Sequence, residues 1–260
     1  CGPGPLNARA CTDRACELAD AHGVGCVALR NTNHWMRPGS YGWRAALAGY
    51  VFLCWTNTTA NMPPWGGRQR RVGNNPLVLA VPRRDEPVVL DMAVSQFAGG
   101  KLAIHRRRGL PLPVPGGYDE AGQLTTDAEA IARSGRALPA GYWKGSALAL
   151  LLDLTAALLS GGLATHQIEQ GEGEMRVSQV FVAFETARTL GAERVNGLVD
   201  EALAYLLAAE PAEDGAPVRY PGQGVLAARA DSDAHGVPVD ASVWESVRAL
   251  GGKGDRLLFS

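Results

Sequence analysis

At 260 residues and 46% apolar content, the chain is long enough to bury the core of one large domain. A net charge of -1, with both signs mixed along the sequence, argues against nucleic acid or a membrane surface as partner, because both need a concentrated basic face. The five cysteines all fall at or before Cys54 without a C-x-x-C pair, which excludes a disulfide framework and a zinc site and predicts buried thiols in a cytoplasmic protein.

The opening Cys1-Gly-Pro-Gly-Pro has no basic-then-apolar leader and no Met, so the chain is expected to start partway into a longer gene product. Residues 7 to 22 carry Leu6, Ala10, Ala15, Leu18 and Ala19 near helical spacing and stop at Gly23, predicting a helix, and Val24 to Leu29 predicts a buried strand. Asn31-Thr-Asn-His34-Trp-Met-Arg37-Pro-Gly-Ser40-Tyr-Gly42 then reads as a loop. It sets one imidazole, His34, among turn-forming and hydrogen-bonding residues, the kind of segment that carries function above a rigid scaffold. Tyr41 to Ala48 predicts a helix closed by Gly49, and Tyr50 to Trp55 a strand. A Pro/Gly/Trp-containing loop from Thr56 to Pro76 leads to two strands, Leu77 to Val81 and Val88 to Met92, around a polar turn at Arg83 to Glu86.

Between Arg106 and Tyr142 only Ala128 to Arg133 reads as helix, and so long an irregular stretch predicts a site-covering loop or an interface arm. Gly145 to Ala164 is the most apolar segment. Asp153 in its middle and Gly161-Gly162 at its end favour a buried core helix, Leu148 to Leu159, over a membrane span. Ser178 to Phe184 predicts a strand, Leu198 to Ala209 an amphipathic helix, and Val225 to Ala230 and Val243 to Leu250 shorter helices. The alternation indicates an α/β protein, a mixed sheet flanked by helices, in a single domain over 1–260. Arg68, Arg70 and Arg71, and the run Arg106-Arg107-Arg108, read as solvated surface or as contacts to an anionic substrate or cofactor phosphate.

Two matches to G-x-G-x-x-A occur. Gly23 to Ala28 runs from helix into strand, the reverse of what pyrophosphate binding needs, and Gly222-Gln-Gly224-Val-Leu-Ala227 opens a helix without a strong strand before it. An ordinary Rossmann domain, a P-loop and a G-x-S-x-G elbow are therefore not expected. Gly141-Tyr-Trp-Lys144-Gly145 puts a cation and an aromatic ring at the start of the apolar helix, either a grip for an anionic, stackable ligand or a helix start with a surface lysine. Asp91, at a strand's end, can hold ribose hydroxyls or cap a helix.

Ala28-Leu-Arg-Asn-Thr-Asn-His-Trp-Met-Arg37, Cys54-Trp-Thr-Asn57, Met62-Pro-Pro-Trp-Gly66 and Leu138-Pro-Ala-Gly-Tyr-Trp-Lys-Gly-Ser146 together resemble the type-2 malate/L-lactate dehydrogenase family, from about Leu6 to Leu250. The resemblance implies a non-Rossmann nicotinamide fold, a homodimer, and NADH (or NADPH) reduction of a 2-oxo acid. A sugar-derived diketo acid is the expected substrate, with malate, L-lactate or ureidoglycolate as alternatives. It makes His34 the acid/base, fitting an imidazole that can protonate the alkoxide left by hydride addition. The cofactor contacts it implies are Thr58, Val88, Val89, Leu90, Asp91, Met92, Ala93, Trp143, Lys144, Gly222, Gln223 and Gly224. No metal is implied. Family members also carry an N-terminal helical segment with an S-H-G histidine and an arginine, which this chain is expected to lack; without it, the alternative is a non-catalytic nucleotide-binding remnant. Asn74, Thr58 and Pro38 stand where the family commonly has Thr, Ser and Gly.

Overall fold

The computed structural model describes residues 1–171, 173–212 and 217–254. They fall into two compact units, Cys1–Gly222 and Gln223–Ser260. The first begins with helix α1 (Gly4–His22), strand β1 (Val24–Thr32), helix α2 (Gly39–Leu47), and strands β2 (Tyr50–Thr56), β3 (Leu77–Val81) and β4 (Val88–Met92). Helix α3 (Gly99–Arg108), short strands β5 (Gly117–Tyr118) and β6 (Leu124–Thr125), helix α4 (Ala128–Ser134) and strand β7 (Arg136–Ala137) follow. Helices α5 (Trp143–Ser160) and α6 (Thr165–Ile168), strand β8 (Val177–Glu185), and helices α7 (Ala187–Leu190) and α8 (Ala192–Leu207) complete it. The second unit holds helices α9 (Gln223–His235) and α10 (Ala241–Gly254), where two short helices were expected.

The main sheet has five strands in the order β1-β8-β2-β3-β4, and β6-β5-β7 form a small second sheet. Every ladder is antiparallel, and the parallel pairings are isolated bridges at Gly2–Thr32 and Arg83–Asp85. β8, late in sequence, inserts between β1 and β2, so the centre of the sheet closes only when distant parts of the chain meet.

Strand alternation sorts the two faces. Trp55 and Val180 turn to α5, joining Met62, Val72, Val94, Ala149, Leu152 and Ala156 in one apolar cluster, with the Trp55 indole donating to the Leu152 carbonyl at 3.1 Å. Phe181 turns the other way, to Trp35 and Tyr41, whose rings lie 6.0 and 6.5 Å from its own. The face of α1 that packs is Gly4, Ala8, Thr12, Ala15 and Ala19, correcting the stripe read from the sequence, in which Leu6 proves 66% exposed. The reason is close approach: a Cβ on Gly25 of β1 would strike the Ala15 carbonyl and come within 2.7 Å of Leu18 Cβ, so only small residues fit that seam.

Three further expectations are corrected. Only Cys54 is buried; Cys11 and Cys16 are half-buried, Cys1 is exposed ahead of α1, and Cys26 is exposed on β1, an edge strand. The apolar helix is not a core helix, since α5 buries one face through Gly145, Ser146, Ala149, Leu152, Asp153 and Ala156 while Leu151, Leu158 and Leu159 are exposed. It has the length and apolarity of a membrane span, yet Asp153 Oδ1 accepts from the Asn57 amide and the Thr165 N–H, which ties the helix to the sheet. The stretch from Arg106 to Tyr142 is more ordered than its Pro and Gly content suggests. It begins inside α3, which buries no residue and so shows no apolar stripe to read, and it contains the three-stranded sheet.

Candidate active site

Strand directions bring several of the predicted residues to one end of the sheet. Thr32 pairs with Val177, Thr56 with Gln179, Trp55 with Leu77 and Leu77 with Met92, so the ends of β1, β2 and β4 and the starts of β3 and β8 share one edge of the sheet. His34 follows β1, Thr58 follows β2, Asp91 to Ala93 close β4, and Glu174 precedes β8. Four segments far apart in sequence therefore meet there.

His34 stands on a rigid base. β1 runs further than expected, through Asn31 and Thr32, and Trp35 is fully buried with its carbonyl accepting from the Tyr41 hydroxyl at 2.7 Å. Gly4 packs so closely that a Cβ there would fall on the His34 and Asn33 carbonyl oxygens. Met36, at φ +65, turns its N–H back onto His34 Nδ1 at 2.9 Å. That bond gives Nδ1 the acceptor role and leaves Nε2 as the nitrogen that faces Glu174 Oε1, 3.7 Å away. Burial pushes the Glu174 carboxyl above its ordinary value of 4.5, against the opposing pull of His34 and of hydrogen bonds from Thr59. Around the same loop, Asn33 Oδ1, Trp35 Nε1 and Gln179 Oε1 are buried without a hydrogen-bond partner among the described residues, the kind of exception found where a fold serves a site.

Thr58 is 2% exposed, and its hydroxyl lies 3.2 Å from both Asn74 Oδ1 and Asn75 Oδ1. Asn74 Oδ1 also accepts from the Asn61 amide at 2.8 Å, so Asn at this position serves the hydrogen-bonding purpose of a Thr. Beside it, Asn57 is fully buried; its amide donates to Asp153 and to the Leu163 carbonyl at 2.9 and 2.7 Å, and its oxygen accepts from the Ser178 N–H at 2.8 Å.

Val88 to Met92 form the outer edge strand, so they line a side of the sheet about 13 Å long at strand rise. Asp91 Oδ2 accepts from the Gly39 N–H at 3.0 Å and thereby caps the start of α2 from across the fold. Val89 N–H donates to the Pro221 carbonyl at 3.1 Å, and Gly222, at φ +94, lies where a Cβ would be 3.1 Å from Val89 N and 3.3 Å from the Trp43 ring. Gln223 and Gly224 begin the second unit. Trp143 and Lys144 open α5, anchored to the exit of β4 by the Ala140 N–H on the Val94 carbonyl at 2.8 Å. Trp143 is 61% exposed, with Lys144 Nζ 5.9 Å from its ring centroid, and Tyr142 at φ +60 meets Trp65 in a tilted pair with centroids 5.2 Å apart.

Sequence reasoning missed Glu174 and Thr59. The only signal was the acid in Gly173-Glu-Met ahead of a strand, which gains meaning once β8 is known to lie beside β1. Among the described residues no cluster of His, Cys, Asp or Glu has a metal-binding arrangement.

The sequence profile of the malate/L-lactate dehydrogenase family matches residues 1–248. A 2,3-diketo-L-gulonate reductase of Salmonella paratyphi A is 44% identical over 248 residues, 95% of this chain and 74% of that protein. Among solved structures, sulfolactate dehydrogenase from Methanocaldococcus jannaschii superposes with a TM-score of 0.85 at 28% identity, covering 97% of this chain and 73% of that one. Malate dehydrogenase from Entamoeba histolytica, at 19% identity and a TM-score of 0.91 over 98% of this chain and 75% of that one, shares the fold.

Proposed function

We propose that this chain, which belongs to the malate/L-lactate dehydrogenase family, reduces 2,3-diketo-L-gulonate to 3-keto-L-gulonate with NADH, His34 handling the proton. The chain is an oxidoreductase of 2-oxo acids, on the strength of its reductase and dehydrogenase relatives. The specific substrate rests on the 44% identity to the diketogulonate reductase. The observation that carries the mechanism is the His34–Glu174 pair at the sheet edge where β1, β2, β4 and β8 converge.

The residues suit an extended dinucleotide. Asp91 holds the Gly39 N–H through Oδ2, so its Oδ1 can accept from ribose hydroxyls; the exposed Trp143 ring offers a stacking face, and the Lys144 ammonium can meet a phosphate. The Thr58 hydroxyl is turned inward to Asn74 and Asn75, so its contribution falls to its backbone. A bound nicotinamide supplies the hydride. His34 would act as the doubly protonated imidazolium, giving its Nε2 proton to the oxygen of the reduced carbonyl and returning to the neutral ring, while the Glu174 carboxylate offsets the positive charge. Protonation of Nδ1 would break the bond from Met36 N–H, which ties the charge of the ring to the turn at Met36.

Homodimerisation and a cytoplasmic location belong to the same reading, and NADPH is the alternative cofactor. The test is NADH oxidation by the chain with 2,3-diketo-L-gulonate compared with oxaloacetate, pyruvate and oxalurate, the oxo acids of malate, L-lactate and ureidoglycolate, in wild type and His34→Ala. The diketo acid is expected to turn over fastest, and His34→Ala to lower kcat by about 10²–10⁴-fold, the usual worth of acid–base catalysis. An unchanged rate in the variant would refute the role of His34.

A further inference from the structure

A cavity of about 650 Å³ is lined in part by Ala60 and Glu169, and neither the His34–Glu174 pair nor any of the proposed cofactor residues lines it. Arg68, Arg70 and Arg71 reach it from the loop between β2 and β3, and Arg133 and Arg136 reach it from α4 and β7. The fold thus gathers guanidinium groups from two segments more than fifty residues apart. Five arginines face two carboxylates, Glu120 and Glu169, an excess of three positive charges.

The two carboxylates are committed. Glu120 lies 3.6 Å from Arg133, and Glu169 Oε2 accepts the Ala60 N–H at 2.9 Å. Two of the remaining arginines are held by neutral groups: Arg71 donates to Gln69 Oε1 at 2.9 Å and Arg136 donates to the Asp119 carbonyl. Arg70 Nη1 lies 3.1 Å from where a Cβ would stand on Gly135, whose φ of +64 opens that space. Elsewhere arginines pair with acids, as Arg44 does with Asp13, Arg83 and Arg84 with Asp200, and Arg106 with Glu129. Placement by neutral acceptors fixes geometry while leaving charge uncompensated, and like charges so gathered repel unless an anion sits among them.

We propose that this cavity binds a small polyanion carrying at least two phosphate or carboxylate groups. Planar guanidinium forks match both oxyanions bidentately, and the volume lies within the range of small-ligand sites and well above that of one phosphate ion. The site is independent of the nicotinamide reading, since it shares no residue with it.

The experiment is isothermal titration of the chain with pyrophosphate, citrate and inorganic phosphate at constant ionic strength. Wild type is compared with Arg70→Gln/Arg133→Gln, with Arg68→Gln alone, and with Arg9→Gln, which removes one positive charge, as Arg68→Gln does, from an exposed position on α1. One saturable site is expected for pyrophosphate or citrate, at least tenfold tighter than for phosphate. The double variant should weaken it tenfold or more, Arg68→Gln should weaken it measurably, and Arg9→Gln should leave it unchanged. Preference for pyrophosphate identifies a phosphate ester and preference for citrate a polycarboxylate. The proposal is overturned if none of the three binds saturably, if Arg9→Gln weakens binding as much as the double variant, or if both Arg70→Gln/Arg133→Gln and Arg68→Gln retain wild-type affinity with unchanged circular dichroism.

Discussion

Asn57→Ala is expected to be among the most damaging single substitutions in the first unit, although the side chain touches no solvent. Its amide oxygen takes the Ser178 N–H and its amide nitrogen feeds Asp153 and the Leu163 carbonyl, so one residue fastens the end of β2 to the start of β8, to α5 and to the turn before α6. Truncation removes three hydrogen bonds. Asp153 keeps the Thr165 N–H and the Leu163 carbonyl keeps only the long 3.5 Å bond from the Ser178 hydroxyl, but the Ser178 N–H loses its partner. At about 1–3 kcal/mol for each buried group left unsatisfied, plus a small void, the loss is about 3–5 kcal/mol. For a unit of this size that is roughly a 10 °C fall in Tm. Urea denaturation followed by tryptophan fluorescence measures it directly. Asn57→Asp keeps an acceptor for Ser178 but sets a second carboxylate against Asp153 at the 2.9 Å now bridged by the amide, so it should be no better tolerated at neutral pH. A loss below about 1 kcal/mol in Asn57→Ala, or wild-type stability in Asn57→Asp, would refute the claim that this amide holds the site edge together.

Other outcomes follow from single contacts. Gly4→Ala must push the His34 backbone aside, so its kcat should fall further than its melting temperature predicts; equal, small effects on both would mean the loop gives way freely. Glu174 has a raised pKa, so its contribution to stability is fully present below its ordinary 4.5 and is lost as pH rises through the raised folded value. Glu174→Gln imitates the protonated form, hence should gain on wild type as pH rises from about 4 to 7, read by denaturation at each pH; a gap that stays constant counts against the burial argument. Among the thiols at pH 8, Cys54 should resist a disulfide reagent and Cys16, pushed up to about 11 by burial and neighbouring acids, should react slowly, while exposed Cys1 reacts first. Mass spectrometry of the labelled chain ranks them.

Local signals read well and long-range ones did not. Leu77 to Val81 and Val88 to Met92 appear as strands where β-branched and apolar residues and a polar turn put them, and the stop at Gly23 is a left-handed C-cap at φ +84. α5 misled because Leu150, Leu151 and Leu158 carry the same apolarity as Leu152; only the partners of Asp153 reveal which face is packed. α3 was silent for the opposite reason, its GGKLAIHRRR sequence giving no apolar face at all. His34 could be found from its turn-rich neighbours, whereas Glu174 could not, since nothing local to it says that β8 pairs with β1.

That pairing also explains why so dispersed a site can be held firmly. In an antiparallel sheet, alternate strands deliver their ends and their starts to the same edge, so β1, β2 and β4 arrive there while β3 and β8 depart. A one-residue slip of β8 against β1 would turn Phe181 out of the Trp35–Tyr41 pocket and Val180 out of the α5 cluster together. The register that buries those two side chains therefore also sets the distance from Glu174 to His34. Core packing on both faces of β8, rather than any contact between His34 and Glu174, fixes the geometry that the proposed proton transfer requires.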